Sequence, residues 1–144
     1  MSRPANYATA IVGAHLLINI VHGLAHRELH VGLSPSGSVF VITVVLILPL
    51  VAIALVWAVQ ERLGLVLLSL SMLASLLFGM YHHFLIISPD HVHSQPAGPW
   101  GITFALTAYG LLITEAIGAY LGVHFFWIAR GTASKAVKTL NAAA

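Results

Sequence analysis

Four long apolar stretches constrain the fold of this chain more than any other feature of its sequence. They cover residues 7–29, 39–59, 63–87 and 100–128. A helix crosses the hydrocarbon core of a bilayer in about 20 residues and satisfies its own backbone polar groups there. Charged side chains make up 7% of the chain, against about 25% in a soluble domain. The sequence therefore predicts an all-α integral membrane protein with four spans, the first of them a retained helix.

The breaks between these stretches are short and rich in turn-forming residues. They lie at 32–37, 60–62 and 88–99. Helices with short connections pack as antiparallel neighbours, so we expect residues 1–144 to form one domain, a four-helix antiparallel bundle. Pro49 lies inside the second stretch and predicts a kink there.

The Lys and Arg residues gather at one end of this predicted bundle. Arg27 is the exception and lies at the other end. The larger group comprises Arg3, Arg62, Arg130, Lys135 and Lys138. Because cytoplasmic segments of membrane proteins carry an excess of Lys and Arg, we expect both termini on the cytoplasmic side of a bacterial-type inner membrane. These cations are too dispersed for a nucleic-acid site, so the lipid bilayer is the expected partner.

Nine histidines are the second unusual feature of the sequence. The first stretch carries a polar stripe of His15, Asn19, His22, His26 and His30. At about 100° per helical residue, the stripe fits within an arc of about 80°. Lipid cannot satisfy such a stripe, so we expect it to face the interior of the bundle.

The third stretch carries a similar stripe. His82 shares a helix face with Gly79, Ser75 and Ser71, which are the small and polar residues that close helix contacts use. We therefore expect His82 to point into the bundle. His83 is about 100° further round and is expected to point towards the second helix or the headgroup region.

Seven histidines converge on the outer end of the predicted bundle, namely His22, His26, His30, His82, His83, His91 and His93. Two imidazoles spaced i and i+4 on one helix face can chelate a divalent metal. Because the chain has no cysteine, imidazole and carboxylate ligands favour Zn, Fe or Cu. The predicted core ligands, which lie at similar depth, are His22, His26 and His82, and the further candidates are His83, Asp90 and His91. The alternative is a set of interhelical and headgroup hydrogen bonds made by these histidines.

The elements His22-x-x-x-His26 and His82-His83 resemble fragments of the histidine boxes of membrane di-iron hydroxylases and desaturases. Those families combine H-x-x-x-H boxes with H-x-x-H-H boxes, and this chain has no H-x-x-H-H box. The resemblance covers only these few residues, and the chain is not assigned to those families.

One acidic residue, Glu115, lies deep inside the predicted spans. Counting along the helices places it at nearly the level of His15, which predicts an intramembrane polar pair of His15 and Glu115. Such a carboxyl group is either a neutral, hydrogen-bonded acid or a proton relay or support for metal ligands. Gly118 and Gly122 share its face and offer a close contact to a neighbouring helix, to a membrane partner or to a second copy of the chain.

We therefore expect a small integral membrane protein that binds a transition metal near its outer face, for redox chemistry or for metal handling. One alternative is an electron-transfer subunit that holds a b-type haem between His22 and His82, because four-helix bundles hold haem between facing histidines. Another alternative is a non-catalytic accessory subunit of a larger membrane complex. The sequence shows neither an open coordination position nor a substrate cleft, so it does not decide whether the protein is an enzyme.

Overall fold

The structure, a computed structural model, describes residues 3–58 and 60–143, except for the side chains of 132–143. These residues form four long helices and no strand: α1 (Arg3–Glu28), α2 (Pro35–Trp57), α3 (Glu61–Leu85) and α4 (Pro99–Ala143). Each helix has a segment long and apolar enough to span a membrane, which confirms the predicted all-helical, membrane-compatible class. Val59, the predicted end of the second span, and the side chains of Lys135 and Lys138 lie outside the described residues.

The connections between the helices use the turn residues seen in the sequence. The hydroxyl of Ser34 accepts the N–H of Gly37 at 3.1 Å, and Pro35 occupies the first helical position of α2. The connection between α3 and α4 is longer and contains one turn of 3-10 helix at Val92–Ser94. This longer loop carries Asp90 back over the ends of the helices.

Two of the helices contain a segment of π-helix. In α2 the segment is Val41–Ile47, and Pro49 follows it closely. Proline has no N–H and its ring displaces the carbonyl group four residues earlier, so a wider i→i+5 pattern relieves the helix at this point. The structure therefore has a π-segment next to Pro49, where the sequence predicted a kink. In α3 the segment is Tyr81–Leu85, and the N–H of Ile86 donates to the carbonyl of Tyr81 at 3.0 Å.

The helices α3 and α4 approach closely at the end of the fold that contains the connection between α2 and α3. A Cβ atom on Gly122 would lie 2.7 Å from the carbonyl oxygen of Leu65 and 2.8 Å from Cβ of Ser69. Gly118 lies against the side chain of Met72. The G-x-x-x-G face of α4 is therefore occupied by α3 of the same chain, and it allows the two backbones to approach closely.

The opposite end of the fold contains His26, His83 and Asp90 and is called the histidine end below. The Val41–Ile47 part of α2, which lies at this end, scarcely contacts α1, whereas the Leu48–Trp57 part packs against α1 towards the other end. The gap between α1 and the Val41–Ile47 part belongs to a cavity of about 410 Å³, lined by residues of all four helices. The fold is thus closely packed at one end and open at the other.

Replacing Gly122 by Ala tests the close approach of α3 and α4. The added Cβ would lie nearer to Leu65 and Ser69 than such atoms come, so the helices must separate. We expect a loss of about 1–3 kcal/mol in the free energy of unfolding, measured by thermal or denaturant unfolding of the purified protein in mild detergent. Gly13→Ala is the matched control, because no atom in the described part of the chain lies within 4 Å of its Cβ position. Equal stability of the two variants would contradict the close packing.

Candidate metal centre

Three imidazole rings from two helices meet at the histidine end. His22 and His26 come from α1, and His83 comes from the π-segment of α3. Nε2 of His22 lies 3.2 Å from Nε2 of His26 and 3.3 Å from Nε2 of His83. One possible ligand atom from each residue lies within 4.8 Å of the other two. The three rings, called the histidine cluster below, could therefore hold a metal ion.

His82 lies outside the histidine cluster, which differs from the sequence-based expectation. Its ring packs on Phe78, with 4.4 Å between the ring centroids, and against Tyr81 at 5.2 Å. His83 takes the place beside His22 that was expected for His82.

The π-segment Tyr81–Leu85 explains this exchange of neighbouring residues. Each residue of a π-helix advances less round the helix axis than a residue of an α-helix, so the last turn of α3 changes phase. Ser71 and Ser75 are buried on the inner face, and Gly79 lines the cavity beside them. The stripe that they form, with a spacing of four residues, continues to His83.

Two of the three rings are oriented by backbone carbonyl groups. Nδ1 of His26 donates to the carbonyl of Val31 at 3.0 Å, and Nδ1 of His83 donates to the carbonyl of Asp90 at 2.9 Å. A carbonyl oxygen only accepts hydrogen bonds, so each neutral ring carries its proton on Nδ1. The Nε2 atoms of His26 and His83 therefore present lone pairs to the cluster.

The third ring, His22, is oriented by a hydroxyl group. Its Nδ1 lies 2.8 Å from Oγ1 of Thr107, which in turn lies 2.7 Å from the carbonyl of Thr103. When Thr107 donates to that carbonyl, its oxygen accepts the Nδ1–H of His22, and a third lone pair faces the cluster. If the proton of His22 is on Nε2 instead, this single N–H can donate to His26 or to His83 but not to both. In either case the cluster contains more lone pairs than protons to pair them.

Asp90 places negative charge beside the histidine cluster. Its Oδ1 lies 3.3 Å from Nδ1 of His83 and 3.4 Å from Nε2 of His26. Both carboxylate oxygens are buried, and neither makes a hydrogen bond of good geometry to the described residues. The carboxylate can therefore balance the charge of a cation in the cluster.

Two residues of α4 complete the surroundings of the cluster, and sequence reasoning missed both. Phe104 is fully buried, and its ring centroid lies 4.8, 4.9 and 5.4 Å from those of the three histidine rings. Thr107 supplies the hydroxyl described above. Both share a helix face with Leu111 and Glu115, at spacings of three and four residues. That spacing is the signal in the sequence that predicts their inward position.

The other candidate ligand, His91, is engaged with the backbone of its own loop and of the last turn of α3. Its Nε2 lies 3.3 Å from the carbonyl of Phe84, and its Nδ1 accepts the N–H of His93 at 3.1 Å. His30 lies just beyond the end of α1 with a φ of 55°, and it is exposed. The structure does not bring these three histidines to the cluster.

The geometry does not favour the b-type haem alternative. Two axial nitrogens on one metal stand about 4 Å apart, since each metal–nitrogen bond is about 2 Å long. Nε2 of His22 and Nε2 of His83 are only 3.3 Å apart, and His82 is directed elsewhere. The rings of His26 and Phe104 pack directly against these two rings, where a macrocycle would have to lie.

A second buried polar group lies deeper in the fold, and the structure brings together the pair expected from depth. Nε2 of His15 and Oε1 of Glu115 are 3.2 Å apart, with side chains 1% and 3% exposed. Nδ2 of Asn19 lies 3.0 Å from the same histidine nitrogen and donates to the carbonyl of His15. Oε2 of Glu115 has no hydrogen-bond partner among the described residues.

Comparisons with known proteins do not identify this chain. No family model, no curated protein and no solved structure matches it. The function proposed below is therefore based on the geometry of the site.

Replacing His15 by Leu tests how the deeper pair stabilises the fold. Glu115 then loses its partner in apolar surroundings, and we expect the free energy of unfolding to fall by about 2–3 kcal/mol. The double variant His15→Leu/Glu115→Leu removes both polar groups and should recover much of this loss. Unfolding in mild detergent measures both variants, with His124→Leu at an exposed position as the control. A double variant that is less stable than either single variant would contradict mutual satisfaction of the pair.

Proposed function

We propose that this protein is an integral membrane protein that binds one divalent transition-metal ion through the Nε2 atoms of His22, His26 and His83. One observation carries the proposal: these nitrogens face one another at 3.2 and 3.3 Å with too few protons to pair them. A metal ion resolves this arrangement because it accepts every lone pair that the rings direct at one another.

The spacing of the nitrogens supports the proposal. In a tetrahedral site with metal–nitrogen bonds of about 2.0–2.1 Å, neighbouring nitrogens lie about 3.3 Å apart. The separations of His22 from His26 and from His83 already have this value. The ligand atoms of the three rings all lie within 4.8 Å of one another, so binding requires little rearrangement.

The contacts behind the rings give further support. Histidines that bind a metal donate their other ring N–H to a carbonyl, a carboxylate or water, which fixes the ring and its tautomer. The carbonyls of Val31 and Asp90 and the hydroxyl of Thr107 play this part here. The carboxylate of Asp90 adds the negative charge that a divalent ion bound by neutral imidazoles requires.

Zinc suits this ligand set best, since neutral imidazoles with a neighbouring carboxylate and no thiolate are common at zinc sites. Iron and copper use similar ligands and are the other candidates. Three protein ligands leave a fourth position for a further molecule, which is the pattern of catalytic sites more than of structural sites. All three histidines line the cavity, so the fourth position has space beside it.

The proposed location is a bacterial-type inner membrane, with the histidine end on the extracytoplasmic side. Four helices of sufficient length and apolar character support the multi-pass arrangement. The positive-inside rule supports the orientation, because Arg27 lies near the histidine end while Arg3, Arg62 and Arg130 lie at the other end.

Cobalt(II) titration of the metal-free protein tests the metal site. We expect the purified chain in mild detergent to bind one cobalt ion and to show the intense visible bands of a tetrahedral site. Zinc content measured by mass spectrometry should agree with this stoichiometry. His83→Ala should abolish the bands because it removes a ligand, whereas His82→Ala, one residue away, should leave them unchanged.

Two results would overturn this assignment. The first is a wild-type protein that takes up neither cobalt nor zinc. The second is loss of binding in His82→Ala with retention in His83→Ala, which would restore the ligand set expected from an uninterrupted α-helix.

Replacing Thr107 by Val tests how the His22 ring is held. Valine keeps the shape of the side chain but cannot accept the Nδ1–H of His22, so we expect metal affinity to fall about 10–100-fold. The unfolding midpoint of the metal-free protein should change little. Thr114→Val is the matched control, because among the described residues the hydroxyl of Thr114 bonds only to carbonyls of its own helix. Equal affinities in the two variants would show that Thr107 does not orient the ring.

A further inference from the structure

The cavity at the histidine end has a polar group at each end and apolar walls between them. The histidine cluster and Asp90 lie at one end, and Glu115 lies deeper. The apolar part of the lining includes Leu16, Val45 and Leu111. A space of about 410 Å³ is large enough for a small organic molecule.

Glu115 points a free oxygen atom into this cavity. The residue is 3% exposed, and its Oε1 is engaged by His15, while its Oε2 has no partner among the described residues. A buried polar atom without a partner is costly, so it indicates a missing hydrogen-bonding group. The lining of the cavity includes Glu115 itself, which places that group inside the cavity.

Gly79 lies between Oε2 of Glu115 and the ring of His83, and it has no side chain to occupy the space beside them. A Cβ atom on Gly79 would lie 3.8 Å from Oε2 of Glu115 and 3.9 Å from Cδ2 of His83. The sum of these two distances is the largest possible separation between Oε2 of Glu115 and Cδ2 of His83. This separation is about the width of one aromatic ring. A molecule with one ring can reach from the carboxyl group to the histidine cluster.

The cavity is open on the side of α1 and α2. Ile20 and Gly23 of α1 are exposed and also line the cavity, as does Val41 in the π-segment of α2. These residues are apolar, and the surrounding surface of the helices is apolar too. A molecule dissolved in the lipid could therefore enter between the two helices.

We infer that this cavity binds a small, neutral, lipophilic molecule that carries a hydroxyl group, with the hydroxyl hydrogen-bonded to Oε2 of Glu115. A hydroxyl group both donates and accepts, so it satisfies Oε2 whether or not the carboxyl group is protonated. An anionic ligand is disfavoured by Glu115 and Asp90, and a purely apolar ligand would leave Oε2 unsatisfied. This inference goes beyond the proposed metal site and does not require a bound metal.

A pair of probes that differ only in the hydroxyl group tests the inference. para-Fluorophenol and fluorobenzene are titrated into the full-length, metal-free protein in mild detergent, and binding is followed by fluorine NMR. We expect the wild-type protein to bind the phenol more tightly than fluorobenzene by about tenfold, after correction for the partition of each probe into protein-free detergent. In Glu115→Met this preference should disappear, because methionine offers no comparable hydrogen bond.

Gly79→Ala is a second test that keeps the carboxyl group. The added methyl group makes only ordinary contacts with Glu115 and His83, so the fold is retained, but it occupies the space beside Oε2. We expect weaker binding of the phenol in this variant. Gly13→Ala is the matched control and should behave as the wild type, because Gly13 does not line the cavity and its Cβ position has no neighbour within 4 Å among the described residues.

Two results would overturn the inference: a hydroxyl preference that is the same in the wild type and in Glu115→Met, or no saturable binding of the phenol to the wild type. The second result would mean that water alone occupies the cavity. Cobalt binding by the same preparations is measured in parallel. If the protein prefers the phenol but binds no cobalt, the metal site is refuted and this inference stands. If it binds cobalt but shows no preference for the phenol, this inference is refuted and the metal site stands.

Discussion

The fold and its site depend on one constraint, which is that polar groups buried among apolar helices must find their partners inside the protein. His15, Asn19 and Glu115 largely meet this requirement among themselves. The histidine cluster meets it only in part, because its Nδ1 atoms are paired and its Nε2 atoms face one another. That difference distinguishes polar groups that join helices from a set of nitrogen atoms that could hold a cation.

Much of this arrangement could be predicted from sequence wherever the helices are regular. α1 is an uninterrupted α-helix over Arg3–Glu28, so the period of 3.6 residues placed His22 and His26 correctly on one inner face. The constant rise per residue brought His15 to the level of Glu115, although the two lie a hundred positions apart in the chain. Composition and hydropathy were sufficient for the four helices, because length and apolar character are properties of each segment alone.

The prediction failed where the helix geometry changes. Sequence gives no direct sign of the π-segment Tyr81–Leu85, since the proline nearest to it, Pro89, lies beyond the end of the helix. The phase error that this segment causes is enough to exchange His82 for His83. The contribution of Thr107 was hidden for another reason. Its importance comes from contact with a ring on a different helix, and the pairing of helix faces is a property of the packed fold and not of any one segment.

The unequal packing of the two ends explains how the fold combines a cluster of three histidine rings with an accessible cavity. Gly64 and Gly122 let the backbones of α2, α3 and α4 approach closely at one end, which fixes the relative positions of the helices. At the other end, α2 lies away from α1 along the π-segment that precedes Pro49. If the helices were packed as closely there, side chains would fill the space beside His83 and Glu115, and a metal would have no room for a further ligand. The contacts that stabilise the fold are therefore concentrated away from the site, and the irregular helix turns lie beside it, where space is needed.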